Sequence, residues 1–228
     1  MSTPKGLYAV GGSHASIYKM DNVTGSLSVL AQTTSAIVGL AFSGNTLCGI
    51  TSSEFVTINP GTGKLEVVGQ LSISGAQSMA ASSAGQIYCI ATPANQGTSL
   101  YTIDTQSGKA TLVGNLVPGP AAVAPGCGGL AFDSNDRLYV TATAYNPGSL
   151  KTVCTLQTID TGNGAMSLQN VAIAGVGTLP GLAFYGDNLY AISSTGALYA
   201  VNTFSGLATQ IGSSNIAGVT LQNLCALR

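Results

Sequence analysis

The sequence predicts an all-β fold built from repeats. Three observations carry that expectation: a turn of fixed grammar that recurs five times, alternating apolar and polar segments on both sides of each turn, and a second pair of apolar segments upstream of most turns. They describe a unit of four antiparallel strands in about 45 residues, the pattern of a propeller blade. The expected architecture is a five-bladed β-propeller of four-stranded antiparallel blades, closed by N- and C-terminal strands in one blade. It forms a single domain over 1–228, with blade repeats near 6–32 plus 217–228, 38–70, 77–115, 128–171 and 180–213.

The turn reads Asp or Asn, two free residues, a small polar residue, then Gly. Its copies are Asp21-Asn-Val-Thr-Gly25, Asn59-Pro-Gly-Thr-Gly63, Asp104-Thr-Gln-Ser-Gly108, Asp160-Thr-Gly-Asn-Gly164 and Asn202-Thr-Phe-Ser-Gly206. An Asx side chain can hold the first amides of such a turn, and glycine supplies the positive φ that closes a short hairpin. Before the turns stand Ser16-Ile-Tyr-Lys-Met20, Phe55-Val-Thr-Ile58, Leu100-Tyr-Thr-Ile103, Leu156-Gln-Thr-Ile159 and Leu198-Tyr-Ala-Val201. After them come segments such as Leu65-Glu-Val-Val68 and Ala110-Thr-Leu-Val113. A period of two means strand, so these are the third and outer strands of each blade.

The inner and second strands are Gly39-Leu-Ala-Phe42 with Leu47-Cys-Gly-Ile50, Gly129-Leu-Ala-Phe132 with Leu138-Tyr-Val-Thr141, and Gly181-Leu-Ala-Phe184 with Leu189-Tyr-Ala-Ile192. Met79-Ala-Ala81 with Ile87-Tyr-Cys-Ile90 is a weaker copy. The N-terminus supplies only the second, third and outer strands, from Leu7-Tyr-Ala-Val10 onward. The expected inner strand of that blade is Gly218-Val-Thr-Leu221, a clasp that removes open edges. Leu224-Cys-Ala-Leu227 resembles a further second strand and competes with residues 7–10 for one slot, which leaves the closing arrangement open.

The stretch Gly129-Leu-Ala-Phe-Asp-Ser-Asn-Asp-Arg-Leu-Tyr-Val140 resembles the first-to-second strand step of NHL and gluconolactonase/regucalcin-type propellers. Leu100-Tyr-Thr-Ile-Asp104 through Thr111-Leu-Val-Gly114 resembles repeats of uncharacterised bacterial propellers. The resemblance covers nearly the whole chain and implies an architecture shared by unrelated activities. Hydrolytic propellers of the gluconolactonase kind hold a divalent metal with Glu, Asn and Asp at the channel mouth. Here only Glu54 falls near that end, so neither a metal nor another cofactor is expected.

Composition narrows the partners. Only 7% of the 228 residues are charged and the formal net charge is −1, far below the roughly 25% charged residues of an average domain. Seven scattered Lys and Arg offer no row of cations for nucleic acid or an anionic membrane. No apolar run reaches the roughly 18 to 20 residues of a spanning helix. The N-terminus enters a strand at once without a signal-peptide core, which suggests a cytoplasmic or already processed chain. Five cysteines, at 48, 89, 127, 154 and 225, lack close spacing and read as core thiols. Cys48 and Cys225 take positions filled by Tyr in sister segments.

In a propeller the inner-to-second links and third-to-outer turns share one face, the turn face. The remaining connections form the opposite, loop face. Asp21, Asp104, Asp160, Asp133, Asp136 and Asp187 fall on the turn face as capping residues; a calcium loop at Asp133 and Asp136 lacks the necessary ligand spacing. The loop face varies in length, with long segments at Thr92–Ser99, 117–127 and Thr143–Ser149 and with His14 nearby. Variable loops on a rigid scaffold are where binding residues collect. The candidate ligand-binding residues are His14, Gln77, Ser78, Asn95, Gln96, Cys127, Tyr145 and Asn146. No catalytic residue is assigned, since paired carboxylates, a GxSxG elbow and a phosphate loop are all missing from the sequence.

Two classes of function follow. One is a non-catalytic binding or assembly module that holds a neutral small molecule, a glycan or a protein partner, with self-association into a homo-oligomer favoured by the low charge. The other is a cyclase- or pericyclase-type enzyme that positions a neutral apolar molecule at the channel mouth without metal, with Tyr145, Gln77 or Ser78 polarising a carbonyl.

Overall fold

A computed structural model of the chain describes residues 3–11, 16–94, 96–116, 126–146, 151–167, 171–173 and 175–227, with the side chains of 126, 127, 144–146, 151 and 152 outside that description. The described chain is all-β and forms five four-stranded antiparallel sheets. Blade 1 begins with β1 (Gly6–Gly11), β2 (Ser16–Met20) and β3 (Leu27–Gln32). Blade 2 is β4 (Gly39–Ser43), β5 (Thr46–Ile50), β6 (Glu54–Ile58) and β7 (Leu65–Gln70). Blade 3 is β8 (Ala76–Ala81), β9 (Ile87–Ala91), β10 (Ser99–Ile103) and β11 (Ala110–Asn115). Blade 4 is β12 (Gly126–Phe132), β13 (Leu138–Asn146), β14 (Lys151–Ile159) and β15 (Val171–Ile173), and blade 5 is β16 (Gly181–Tyr185), β17 (Asn188–Ile192), β18 (Ala197–Val201) and β19 (Ala208–Ser213). The last strand, β20 (Leu221–Leu227), returns to blade 1 and gives the order β20-β1-β2-β3.

The five turns act as their grammar predicts. Asp21 Oδ1 accepts from the amides of Val23 and Thr24 at 3.0 and 2.7 Å, Asp104 Oδ1 from Gln106 and Ser107 at 2.8 Å each, and Asn202 Oδ1 from Phe204 and Ser205 at 3.0 and 2.8 Å. Their closing glycines also join neighbouring blades. Gly108 sits at φ +72°, and a Cβ there would lie 2.9 Å from the backbone of Gly69 on β7. A Cβ on Gly69 would in turn meet the Ser107 carbonyl at 1.9 Å, so both positions exclude any side chain.

A bulge recurs at one place in the outer strands of blades 1, 2, 3 and 5. The extra residue there is Leu30, Val68, Val113 or Ile211, and each packs half-buried on the core. The bulge thereby turns one aliphatic side chain of a largely exposed strand inward.

The core consists of five clusters, each lying between two adjacent blades. The tyrosine of a second strand meets the phenylalanine of the next blade's inner strand. Ring centroids are 5.1 Å apart for Tyr8–Phe42, 5.4 Å for Tyr88–Phe132 and 5.3 Å for Tyr139–Phe184. This explains why Leu-Tyr and Leu-Ala-Phe recur together: each motif is half of an inter-blade contact.

The closing strand differs from the expectation. Residues 218–220 are not strand, and one strand at Leu221–Leu227 serves as the inner strand of blade 1, pairing Val10 with Asn223, Tyr8 with Cys225 and Gly6 with Leu227. In this register Leu224 stands opposite Ala9 as Leu182 stands opposite Ala191, so residues 223–226 read Asn-Leu-Cys-Ala where sister strands read Gly-Leu-Ala-Phe. The asparagine conceals the motif, and Cys225 falls in the alanine column of the inner strands rather than the tyrosine column of the second strands. No surplus strand arises, and β1 keeps its slot. The ring is further fastened by Asn215, whose Oδ1 accepts from the Leu27 amide at 2.7 Å.

Candidate functional site

The axis is built from one position in each inner strand: Gly39, Ser78, Gly129, Gly181 and Asn223. Packing there is close. A Cβ on Gly129 would lie 2.3 Å from the Leu182 nitrogen, and one on Gly181 would lie 2.6 Å from the Leu224 nitrogen. Asn223 is fully buried. Its Nδ2 donates to Ser78 Oγ at 2.7 Å, its Oδ1 accepts from the Leu40 amide at 3.0 Å, and Ser78 Oγ accepts from the Leu130 amide at 3.2 Å. Adjacent inner strands do not pair as a sheet, so these side chains supply partners that backbone groups at the axis need.

Beyond this plug, toward the turn face, lies an axial cavity of about 40 Å³ lined by Ala41, Phe42, Ala131, Phe132, Ala183 and Phe184 among others. One or two waters would fill it, whereas small-molecule sites span roughly 300–1,000 Å³.

On the loop face, Ser78 is 1% exposed and engaged in the axial network. Gln77 is exposed, and its Nε2 donates to Thr92 Oγ1 at 3.1 Å, which lies 2.8 Å from Thr98 Oγ1. Gln96 is also exposed, and its backbone amide donates to the Pro93 carbonyl at 3.0 Å. Gln77, Thr92 and Thr98 therefore come together at blade 3. His14 and Asn95 lie outside the described residues, and the side chains of Cys127, Tyr145 and Asn146 do as well.

The segment from Thr143, expected as a loop, continues β13 to Asn146. It pairs Tyr145 with Thr152 and Asn146 with Lys151. The run Thr141-Ala-Thr-Ala-Tyr145 faces Thr152-Val-Cys-Thr-Leu156, and the β-branched and aromatic residues among them favour a hairpin longer than its counterparts in other blades.

Four cysteines, Cys48, Cys89, Cys154 and Cys225, are buried. Burial pushes the thiols of Cys48 and Cys154 up to about 11 and that of Cys89 to about 12, so these thiols are protonated packing groups rather than nucleophiles. Among the described residues, no group of three or more His, Cys, Asp or Glu side chains could hold a metal ion.

The turn face holds an arrangement that repeat grammar did not reveal. Asp133, 6% exposed, accepts with Oδ1 from the amides of Asn135 and Arg137 at 2.9 Å each, and with Oδ2 from Arg137 Nε at 2.8 Å and Tyr139 Oη at 3.4 Å. Burial would raise its pKa, but the hydrogen bonds from Arg137 and Asn135 outweigh burial and hold the carboxyl below its usual value. The Arg137 guanidinium stands 5.8 Å from the Tyr139 ring centroid. Next to it, Asp136 accepts from the Ser83 amide at 2.7 Å and from the Ser83 hydroxyl, which ties blade 4 to blade 3. The signal was legible only as an exception. Arg137 fills a position held by Thr46, Gln86 and Asn188 in sister blades.

No model of a known protein family matches the chain, and no curated protein sequence does so significantly. Many solved structures share its fold. A chain of a nidogen/laminin complex superposes with a TM-score of 0.60 at 12% identity, over 96% of this chain and 97% of that one. A gluconolactonase from Xanthomonas campestris superposes with a TM-score of 0.55 at 17% identity, over 97% and 80%. The PQQ-bound aldose sugar dehydrogenase from Streptomyces coelicolor gives 0.51 at 17% identity, over 83% and 64%. Fold and likeness together make the chain a β-propeller of five blades. At these identities the likeness extends to architecture alone.

Proposed function

We propose that the protein is a non-catalytic binding module that holds a neutral ligand or a protein partner on its loop face. The observation that carries this reading is the closed axis. Asn223 and Ser78 plug the channel where propeller enzymes commonly seat a substrate, so recognition falls to the surface formed by Gln77, the 92–98 segment and the extended β13–β14 hairpin. A surface with few ions suits neutral partners. The chain of the nidogen/laminin complex that shares this fold comes from an assembly of two proteins, which is consistent with a binding role.

Self-association is a second reading with its own observation. Val29, Val67 and Leu112 are 56–58% exposed at equivalent positions of three outer strands, beside unpaired sheet edges.

Native mass spectrometry of the chain purified from its own source tests both. A neutral molecule or partner protein held in simple stoichiometry, and lost from a Gln77→Ala/Tyr145→Ala variant, supports the loop-face module. A ligand-free multimer supports self-association. Turnover of a bound small molecule by the isolated chain overturns the non-catalytic reading.

A further inference from the structure

The surroundings of Arg137 form a group of polar hollows on the opposite face. One guanidinium donor, Nε, is fixed by the Asp133 carboxylate, whose side chain is 7% exposed. The four terminal N–H donors belong to a side chain that is 63% exposed and lines adjoining hollows of about 200, 280 and 540 Å³. The smallest lies between blades 4 and 5. It is lined by Asn135, Asp187 and Thr203 as well as Arg137, with the buried rings of Tyr139 and Phe184 behind them. Thr203 and Arg137 also border the second hollow, where Thr158 and Ser167 add hydroxyls.

The charges select the ligand. Four carboxylates, those of Asp133, Asp136, Asp160 and Asp187, line the hollows around this one guanidinium. The local field is net negative and disfavours an anion. A divalent cation is disfavoured by the guanidinium itself and by the commitment of Asp133 and Asp136 to hydrogen bonds. Guanidinium donors, an exposed carboxylate acceptor and the hydroxyls of Thr203, Thr158 and Ser167 match a molecule whose own hydroxyls both donate and accept. We propose that the hollow between blades 4 and 5 binds a neutral saccharide, with Arg137 as principal donor and Asp187 as principal acceptor.

The test is a titration of the full chain with glucose, galactose and mannose, followed in ¹H–¹⁵N spectra that include the arginine Nε region. At about 100 mM sugar, a site with a Kd near 10 mM is about nine-tenths filled. The expected result is a saturating shift of Arg137 Nε and of the Thr203 and Asp187 amides with at least one sugar, and none with sodium acetate or inorganic phosphate. Arg137→Gln should weaken binding about tenfold or more. Thr203→Val, which leaves the Arg137–Asp133 pair intact, should weaken it severalfold and keeps the test decisive if the first variant misfolds. Absent or non-saturating sugar shifts, or saturation by the anions alone, overturn the proposal. Sugar shifts confined to Gln77 and 92–98 overturn it too while supporting the loop-face module, so the two readings fail separately.

Discussion

At the axis, three inner strands carry glycine, and the other two carry Ser78 and Asn223. The amide of Asn223 accepts from the Leu40 N–H and donates to the Ser78 hydroxyl oxygen in a fully buried site. Replacing it with alanine removes both partners and opens a small void, a cost of about 2–4 kcal/mol. That should lower Tm by roughly 5–15 °C for a chain of this length. Calorimetry checks this, and an unchanged Tm would mean that the axis is not closed by this side chain. The same position explains a failure of motif reading. A pattern search aligns residues that look alike, whereas Asn223 does at the axis, by hydrogen bonding, what Gly181 does by having no side chain. Arg137 escaped attention for a related reason. Its partners Asp133 and Tyr139 lie in the link after β12 and on β13, and although Arg137 stands where sister blades carry Thr46, Gln86 and Asn188, the blade grammar does not say what it pairs with until the side chains are placed.

Among the elements, β20 has the largest consequence. It pairs with β1 across almost the full length of the chain and lies against the inner strands β4 and β16, so Leu221 and Leu224 complete the cluster between blades 5 and 1 while Cys225 and Leu227 complete the one between blades 1 and 2. Removing residues 221–228 strips an inner strand from two core clusters and leaves the β1 edge unpaired. The shortened chain is expected to unfold or to oligomerise through that edge, as read by circular dichroism and light scattering. A stable monomer with the parent's Tm would show that the ring closes without the strand. Most other strands were legible from two marks, an alternating or repeated apolar pattern and a fixed distance from an Asx–Gly turn; β15, which begins seven residues after Gly164, is the exception among the outer strands. The closing strand has no such turn after it, and its inner-strand motif is altered at the first residue. The β13–β14 hairpin shows the opposite effect: the segment Thr143–Ser149 reads as a long loop, but pairing holds as far as Asn146 because Thr143 and Tyr145 face Cys154 and Thr152 in register.

For the whole molecule, stability is spread over five similar blades, and acid should weaken the turns and links of several of them together. Asp21 and Asp104 are held below the usual carboxylate value by the turn amides they accept from, Thr24 first for Asp21 and Ser107 first for Asp104. Asp133 is lowered against burial by its bonds from Arg137. A carboxyl whose folded pKa is depressed stabilises the fold fully above its unfolded value of about 3.9 and loses that contribution as pH falls through the folded value. Tm should therefore hold steady down to about pH 5 and fall below about pH 4, and Asp133→Asn should flatten the fall. A decline that begins well above pH 5 would assign the acid sensitivity to other groups. By itself the sequence determined that the chain is all-β, how many blades it has and where the five Asx–Gly turns fall, because these follow from local periodicity and from turn chemistry within a few residues. Only the tertiary structure decided which segment closes the ring, that the axis is plugged, and that Arg137, Asp133, Tyr139 and Thr203 border one hollow. Those facts depend on contacts between blades, where the partners are far apart in the chain and no local pattern records them.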